Sequence, residues 1–417
     1  MKPHRTLHAM LVLTVAQASW PLAVRAAPGD TELVSVHYAP ATQTLYSPTV
    51  TAGISGDGRF VLFASRSPYV VPPDGTSTGI LNLLVRDRVG ERTFLANLSS
   101  TGRPVESSAA AVISASGRYV AFLSYDDQVV SGDTNNASDV FLRDLQAGTT
   151  QRVSISSTGG QYQGISSLDM SSDGRYVAFS GSFDQTLYLR DRLTRQTHEK
   201  YVSGLRTPVR VSDDGRYLAY ANYDRLLVHD RSTNRNDLVN VNAAGQRAND
   251  HCYLADMSVD GRFVVFVTRA SNLVPGDTSD TYDVFLRDRA LRRTERVSVA
   301  SDERPLPVVN AYLNAPRVSA DGRHVVFLAA NRTIPGPGGN YSLVINDVYR
   351  RDRAKGTTWL ASANSNGVKA NDTSLAPFVS DDGRFVAFTS TATNLSPLDG
   401  DEYQDAYVHQ FWVAPLP

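Results

Sequence analysis

The sequence predicts an all-β fold, a seven-bladed β-propeller of four-stranded antiparallel blades that the N-terminal strand closes. Three observations predict it. The tripeptide Asp-Gly-Arg, followed by an apolar run, recurs along the chain. Each copy lies in a segment with the pattern of four short strands separated by turns. The strand that the last segment lacks is found at the other end of the chain, in residues 31–36.

The tripeptide occurs six times, and Ser116-Gly117-Arg118 is a seventh, variant copy. Consecutive glycines are 59, 57, 41, 46, 61 and 61 residues apart, and such self-similarity indicates a stacked array of one supersecondary unit. Glycine suits a left-handed backbone position, and the aspartate can accept bonds from nearby backbone amides. We therefore predict a tight structural turn at each copy. The seven glycines are Gly58, Gly117, Gly174, Gly215, Gly261, Gly322 and Gly383.

The repeat around Asp260 shows the four strands of one blade. A short strand at 254–258 precedes the turn, and an apolar strand at 263–268 follows it. A polar loop then leads to a third strand at 283–288 and, after a second turn, to a fourth at 294–299. Strands that are apolar throughout indicate burial on both faces, which neighbouring blades provide, whereas the strands of a two-sheet sandwich more often alternate. The Arg-Asp pair that ends most third strands is interpreted as a structural ladder.

Closure is predicted from the two ends of the chain. After the seventh third strand, 406–410, only Phe411 to Pro417 remain, so the last segment lacks its fourth strand. Residues 31–36 match residues 294–299, the fourth strand of another repeat. We therefore expect the N-terminal strand to complete the last blade, which removes the exposed edges of an open array.

Composition and the first residues predict an exported protein. Lys plus Arg (41) balances Asp plus Glu (42), so nothing points to a nucleic-acid partner. Lys2 and Arg5, the apolar stretch 9–15 and the small-residue site Val24-Arg25-Ala26 have the pattern of a signal peptide. We expect a signal peptide at 1–26 and one propeller domain at 27–417. The mature chain is expected to be a periplasmic or secreted monomer without a membrane span, and its single cysteine, Cys252, precludes an intramolecular disulfide.

The turn segments carry a family resemblance. Residues 172–179, Ser-Asp-Gly-Arg-Tyr-Val-Ala-Phe, and residues 380–388 resemble the repeat of TolB-type propellers. The resemblance covers nearly the whole chain after residue 26 and implies the propeller fold. It leaves function open, because such repeats serve periplasmic scaffold proteins, peptidase propeller domains and some lyases. The chain departs from TolB itself in having seven repeats instead of six and no room for a separate N-terminal domain.

The two faces of the predicted disc differ in their loops. The Asp-Gly-Arg turns and the third-to-fourth turns lie on one face, here the turn face. The second-to-third loops and the blade-to-blade connections lie on the other, the loop face. Second-to-third loops are long in blades 1, 2, 5, 6 (331–346) and 7 and short in blades 3 (181–186) and 4 (222–225). We predict a binding wall on the loop face that is open at blades 3 and 4; the alternative is neutral loop drift.

Candidate ligand contacts lie in the segments that lead into the innermost strands, where they could make the channel mouth polar and acidic. The alternative is that these residues are solvated loop tips. They are Glu106, Asn249, Asp250, His251, Asn371 and Asp372.

Three long loops share oxygen-bearing side chains at relative positions 0, 2 and 6, a pattern that could hold Ca²⁺. None supplies the late bidentate glutamate of an EF-hand, and the alternative is that these residues form Asx-turns and cap the third strand. The sets are Asp133, Asn135 and Asp139; Asp277, Ser279 and Asp283; and Asp399, Asp401 and Asp405.

Two functions remain open at this stage. The first is a non-catalytic scaffold that binds an envelope or extracellular protein, or an oligosaccharide, through the loop face. The second is a secreted carbohydrate-active lyase or hydrolase with its site at the channel mouth. We name no catalytic residue, since the chain has no Gly-x-Ser-x-Gly, His-Glu-x-x-His or phosphate-loop motif and its histidines are scattered over different repeats.

Overall fold

The computed structural model describes residues 29–36, 49–68, 70, 79–108, 110–277, 281–308, 316–335, 342–399 and 403–412. These residues form seven four-stranded antiparallel sheets, arranged in a ring as the blades of a β-propeller. The predicted fold class and blade number are therefore confirmed. The predicted signal peptide lies outside the described residues.

The strands follow the order of the seven turns, and within each blade the innermost strand is given first. The first strand of the chain, β1 (Gly29–Leu33), is the outer strand of blade 7. Blade 1 contains β2 (Thr49–Ile54), β3 (Phe60–Ser65), β4 (Asn82–Asp87) and β5 (Arg92–Leu95). Blade 2 contains β6 (Ala111–Ile113), β7 (Tyr119–Ser124), β8 (Asp139–Asp144) and β9 (Thr149–Arg152). Blade 3 contains β10 (Ile165–Met170), β11 (Tyr176–Gly181), β12 (Thr186–Asp191) and β13 (Gln196–Tyr201).

The remaining blades repeat this arrangement. Blade 4 contains β14 (Leu205–Val211), β15 (Tyr217–Asn222), β16 (Arg225–Asp230) and β17 (Arg235–Leu238). Blade 5 contains β18 (Cys252–Met257), β19 (Phe263–Thr268), β20 (Asp283–Asp288) and β21 (Arg293–Arg296). Blade 6 contains β22 (Arg317–Val318), β23 (His324–Pro335), β24 (Ser342–Asp352) and β25 (Thr357–Leu360). Blade 7 contains β26 (Ser374–Val379), β27 (Phe385–Ser390), β28 (Asp405–Phe411) and β1.

The N-terminal strand closes the ring as predicted. Strand β1 pairs antiparallel with β28, and Leu33 lies opposite Tyr407. The strand begins and ends earlier than the predicted 31–36, because β28 extends to Phe411 and so provides a partner for Gly29. Blades 7 and 1 bury an apolar cluster between them that includes Val34, whose exposed fraction is 0%. Closure therefore buries apolar surface as well as pairing an edge.

Each turn is held by side chains of the turn itself. In blade 1 the Ser55 hydroxyl donates to Asp57 Oδ1 over 2.6 Å, and the same oxygen accepts the Arg59 backbone N–H over 2.9 Å. Gly58 has φ +75°, and a Cβ there would lie 2.1 Å from the ring of Phe385 in blade 7. The glycine is thus required by its backbone conformation and also by contact with the preceding blade. The same glycine-to-ring contact recurs at all seven turns, and in blade 7 the ring belongs to His324 of blade 6.

The aspartate of the third-strand pair forms a recurring ion pair, but its partner is the arginine of the turn and not the adjacent arginine of its own strand. In blade 1, Arg59 of the turn binds Asp87 through two parallel bonds of 2.7 Å. This bidentate pair is formed in blades 1 to 6. It is absent from blade 7 because Gln410 takes the aspartate's place, and Arg384 pairs instead with Asp382 of its own turn.

A threonine on the outer strand links five blades to the preceding blade. Thr294, for example, donates its hydroxyl to the backbone oxygen of Val241 over 2.5 Å. Thr31 of the closing strand donates in the same way to Ala363 and also contacts His409 Nδ1 over 2.8 Å. The N-terminal strand therefore carries the side chain that joins one blade to the next. The five threonines are Thr31, Thr150, Thr197, Thr294 and Thr358.

One predicted loop is largely a hairpin. The sequence suggested a loop at 331–346 in blade 6, but β23 and β24 continue their pairing outward to Pro335 and Ser342. The added residues include Thr333, Ile334 and Val344, and β-branched residues favour extended strands. The prediction failed because the two strands extend beyond the edge of the blade.

Candidate functional site

The innermost strands of all seven blades surround a channel cavity of about 540 Å³. On the side of blades 7, 1 and 2 its wall is formed mainly by small or apolar residues such as Ala52, Val112 and Phe378. The wall on the side of blades 3 to 6 carries four charged residues. They are Asp169, Arg210, Asp256 and Arg317.

These four residues occupy one repeat position, two residues before the serine of the turn. Around the ring from blade 3 to blade 6 they alternate in sign, as Asp, Arg, Asp and Arg. Arg210 Nε binds Asp256 Oδ1 over 3.0 Å, and its two other nitrogens donate to backbone oxygens of Val209 and Ala255. Each aspartate also accepts a backbone N–H of the following blade, from Val211 at 2.8 Å for Asp169 and from Val318 at 3.0 Å for Asp256.

Burial changes the proton affinity of two members of this cluster. It raises the pKa of Asp169 to about 6, with Arg210 opposing the shift and Asp256 adding to it. Burial and the neighbouring Arg210 lower the pKa of Arg317 to about 10, so this guanidinium stays charged at neutral pH. The cluster thus contains two guanidinium cations and two carboxylates. The Asp169 carboxylate has a pKa close to neutral pH.

The turn face of the channel is tied together by hydrogen bonds between adjacent turns. Gly56 N donates to Ala115 O over 2.9 Å, Ala115 N to Ser172 O over 2.9 Å, and Asp381 N to Gly56 O over 3.0 Å. The Asp213 carboxylate continues the ring by accepting the N–H of Ser172 over 2.7 Å. None of these residues lines the cavity. These hydrogen bonds join the turns of neighbouring blades around the channel.

The structure places three of the predicted channel-mouth residues in contact with neighbouring second-to-third loops. Glu106 pairs with Arg66 at 2.8 Å. Asn249 Oδ1 accepts the backbone N–H of Ser271 over 3.0 Å, and Asn371 Oδ1 accepts that of Thr393 over 3.0 Å.

Two further predicted residues bond to the next residue in the chain. Asp250 accepts the N–H of His251 over 2.6 Å, and Asp372 accepts that of Thr373 over 2.6 Å. None of the six predicted residues lines the channel cavity. Whether any of them binds a ligand stays a prediction.

A second cavity, of about 350 Å³, lies between blades 3, 4 and 5 at the predicted opening of the loop face. Three large aromatic side chains of blades 3 and 4 are exposed close in the chain to residues that line it. Phe183 follows Ser182 and is 85% exposed, Tyr223 lies two residues after Ala221 and is 57% exposed, and Tyr201 ends β13 and is 69% exposed. Arg206 lines the cavity, is itself exposed and has no hydrogen-bond or ion-pair partner among the described residues. We name this surface the notch, and define it by these four residues.

The three acidic loops differ in whether an arginine side chain lies beside their carboxylates. In blade 2, Arg152 Nη1 lies 2.9 Å from Asp133, and Asn135 donates its amide to Asp139 over 2.9 Å. In blade 5, Arg296 Nη1 lies within 3.2 Å of both Asp277 and Asp283.

Leu33 takes the arginine's place in blade 7, where Asp399 accepts the Tyr407 hydroxyl over 2.6 Å and Asp405 accepts that of Ser35 over 2.5 Å. Ser279 and Asp401 lie outside the described residues. Calcium binding stays a prediction, and the blade 7 loop is the one in which no arginine occupies the equivalent position.

Within the described ranges, no group of three or more His, Cys, Asp or Glu side chains is placed to hold a metal ion. Cys252 is buried, and this burial raises the pKa of its thiol to about 11. No helix in the described part of the chain is long and apolar enough to cross a membrane.

Solved structures similar to this chain are propellers. The β-propeller domain of the Trilobed protease from Pyrococcus furiosus has a TM-score of 0.54 and 11% identity, with 89% of this chain and all (100%) of that domain covered. TolB from Acinetobacter baumannii has a TM-score of 0.45 and 17% identity, with 73% of this chain and 63% of the TolB chain covered. No family model and no curated protein matches the chain. The similarity to the Trilobed protease domain shows the β-propeller fold alone.

Proposed function

We propose that this protein is an exported, non-catalytic scaffold with TolB-like repeats that binds a partner protein through the notch. The observation that carries the proposal is the group of exposed aromatic side chains, Phe183, Tyr201 and Tyr223, beside a cavity where the loops are shortest. Aromatic residues and arginine are enriched in protein interfaces, where they supply most of the binding energy. The unpaired Arg206 adds a charged contact to this aromatic surface.

The enzyme alternative is favoured by one observation, the raised pKa of Asp169 inside a cavity. Against it, Asp169 accepts a backbone N–H of blade 4, and both oxygens of Asp256 are engaged by Arg210 and Val318. These bonds join neighbouring blades, which accounts for the carboxylates without a reaction. We therefore favour the scaffold.

Binding through the notch is tested with the double variant Phe183→Ser and Tyr223→Ser. Both side chains are exposed, so their replacement is expected to leave folding intact. The matched control is Leu291→Ser, which removes a 68% exposed apolar side chain from the turn face. The wild type and the control should both capture the partner protein from an envelope extract. The double variant should bind this protein at least about tenfold more weakly and so fail to capture it.

Equal capture by all three proteins would contradict the notch as the binding surface. Binding of an oligosaccharide instead of a protein would reassign the partner. Turnover of a polysaccharide that Asp169→Asn abolishes would establish the enzyme alternative. Export is tested separately, by cell fractionation and by sequencing the N-terminus of the mature protein, which we expect to begin at residue 27.

A further inference from the structure

The alternating charges of the channel end at Arg317. The repeat position two residues before the turn serine is charged in blades 3 to 6 and uncharged in the other three blades, where it holds Phe378, Gly53 and Val112. Each interior member of the charged series has an oppositely charged residue in the blade on either side. Arg317 has Asp256 on one side and Phe378 on the other, with its Cζ 4.6 Å from the centre of the Phe378 ring. Its charge is therefore less fully paired than that of Arg210.

The hydrogen bonds of the individual guanidinium nitrogens show the same difference between Arg317 and Arg210. All three side-chain nitrogens of Arg210 have acceptors. Arg317 has a single bond, from Nη1 to the backbone oxygen of Ala255 at 3.3 Å. Its Nε and Nη2 have no acceptor among the described residues, although the side chain lines the channel cavity. Two donor nitrogens of the guanidinium are thus available inside the channel.

The edge formed by Nε and Nη2 is the one with which arginines of the Asp-Gly-Arg turns bind carboxylates. Arg59, Arg175 and Arg262 each bind an aspartate through these two nitrogens, at distances between 2.7 and 3.0 Å. The planar fork of a guanidinium matches the two oxygens of a carboxylate, which makes such pairs strong and directional.

We propose that Arg317 binds the carboxylate of a small organic acid inside the channel, through its Nε–Nη2 edge. The cavity volume of about 540 Å³ is in the range of small-molecule sites. The ring of Phe378 holds the guanidinium plane, and the apolar wall of blades 7, 1 and 2 receives the carbon part of the acid. This site goes beyond the proposed scaffold function and does not depend on a protein partner.

Ionised Asp169 is expected to weaken binding of the ligand in this arrangement. It is a second carboxylate on the wall of the same cavity, and Arg210, Asp256 and Arg317 are the charged groups that face it from the neighbouring innermost strands. A bound carboxylate is repelled by ionised Asp169. Replacing Asp169 by asparagine removes this repulsion while keeping an oxygen that can accept the N–H of Val211.

The test uses two matched pairs of probes in calorimetric titrations of the mature protein. The first pair is succinate and succinamide, and the second is the peptide acetyl-Ala-Ala as its free acid and as its amide. We expect succinate to bind saturably and succinamide not to bind. Arg317→Gln, which can still donate to Ala255 O, should weaken succinate binding at least about tenfold. Asp169→Asn should strengthen it. Arg92→Gln removes an exposed charge from β5 and should leave it unchanged.

The peptide pair identifies the source of the carboxylate. Preference for the free peptide acid over both succinate and the peptide amide would assign the site to a chain terminus in place of a small acid. Equal binding of acids and amides, or equal succinate binding by the wild type and Arg317→Gln, would overturn the proposal. So would the absence of saturable binding of either acid at millimolar concentrations. If Arg317→Gln fails to fold, the acid–amide comparison and Asp169→Asn decide the question.

Discussion

Protonation of His324 is expected to destabilise the propeller in mild acid. This histidine takes the position that holds Phe or Tyr in the six other blades, and its ring packs against Gly383 with an exposed fraction of 6%. Its Nδ1 is buried and has no hydrogen-bond partner in the part of the chain that the structure describes. Burial lowers the pKa of His324 to about 4, with Arg350 and Arg323 adding to the shift and Asp352 and Asp321 opposing it.

The sign and size of the effect follow from this pKa. In the unfolded chain the histidine has a pKa of about 6.5, so between about pH 6.5 and pH 4 the unfolded state binds more protons than the folded state. The stabilisation is therefore fully present above this window and is lost as the pH falls through it. Lowering the pKa from about 6.5 to about 4 corresponds to about 3.5 kcal/mol in full, of which about 3 kcal/mol is lost by pH 4 and about 2 kcal/mol by pH 5.

The variant His324→Phe restores the ring found in the other blades and removes the titrating group. Between pH 8 and pH 5 its free energy of unfolding should fall by about 2 kcal/mol less than that of the wild type. Some decline should remain, because burial also lowers the pKa of His409 to about 4. Urea unfolding at pH 8, 6 and 5 measures the difference, with His251→Gln as a control that removes an exposed histidine. Parallel pH profiles for the wild type and His324→Phe would refute the reasoning.

Three further predictions concern the ring and its loops. Gly322→Ala should lower the free energy of unfolding by about 2–4 kcal/mol, because φ is positive and the new Cβ would meet Phe263. Gly102→Ala, with positive φ but open space around the new Cβ, should lower it by about 1 kcal/mol. Equal losses in urea unfolding would contradict the glycine-to-ring contact. Thr31→Val should cost about 1–2 kcal/mol, because the acceptor on blade 6 loses its donor, and an unchanged unfolding midpoint would argue against this link. The melting temperature should be equal in calcium and in chelator, because arginines already occupy two of the three acidic loops; a fall in chelator that Asp399→Asn abolishes would assign calcium to the blade 7 loop.

The sequence determined the features that depend on neighbours along the chain. In six of the seven turns the serine, the aspartate and the glycine interact within six residues, as Ser55, Asp57 and Gly58 do, so the motif specifies its own geometry. In the blade 2 turn Ser116 takes the aspartate's place. Repetition of that motif predicted the number of blades. The outer-strand pattern at 31–36 predicted closure, and Thr31 does repeat the link made by Thr294.

Tertiary structure decided which distant side chains share a site. The prominent polar residues Asn249 and Asn371 bond to neighbouring second-to-third loops, whereas Asp169, Arg210, Asp256 and Arg317 line one cavity. Alignment of the repeats on the turn serine would have revealed the alternating charges in advance. It would not have shown which nitrogens of Arg317 lack an acceptor, because hydrogen bonding and burial depend on atoms that other blades place around a side chain, and only the closed ring brings these together.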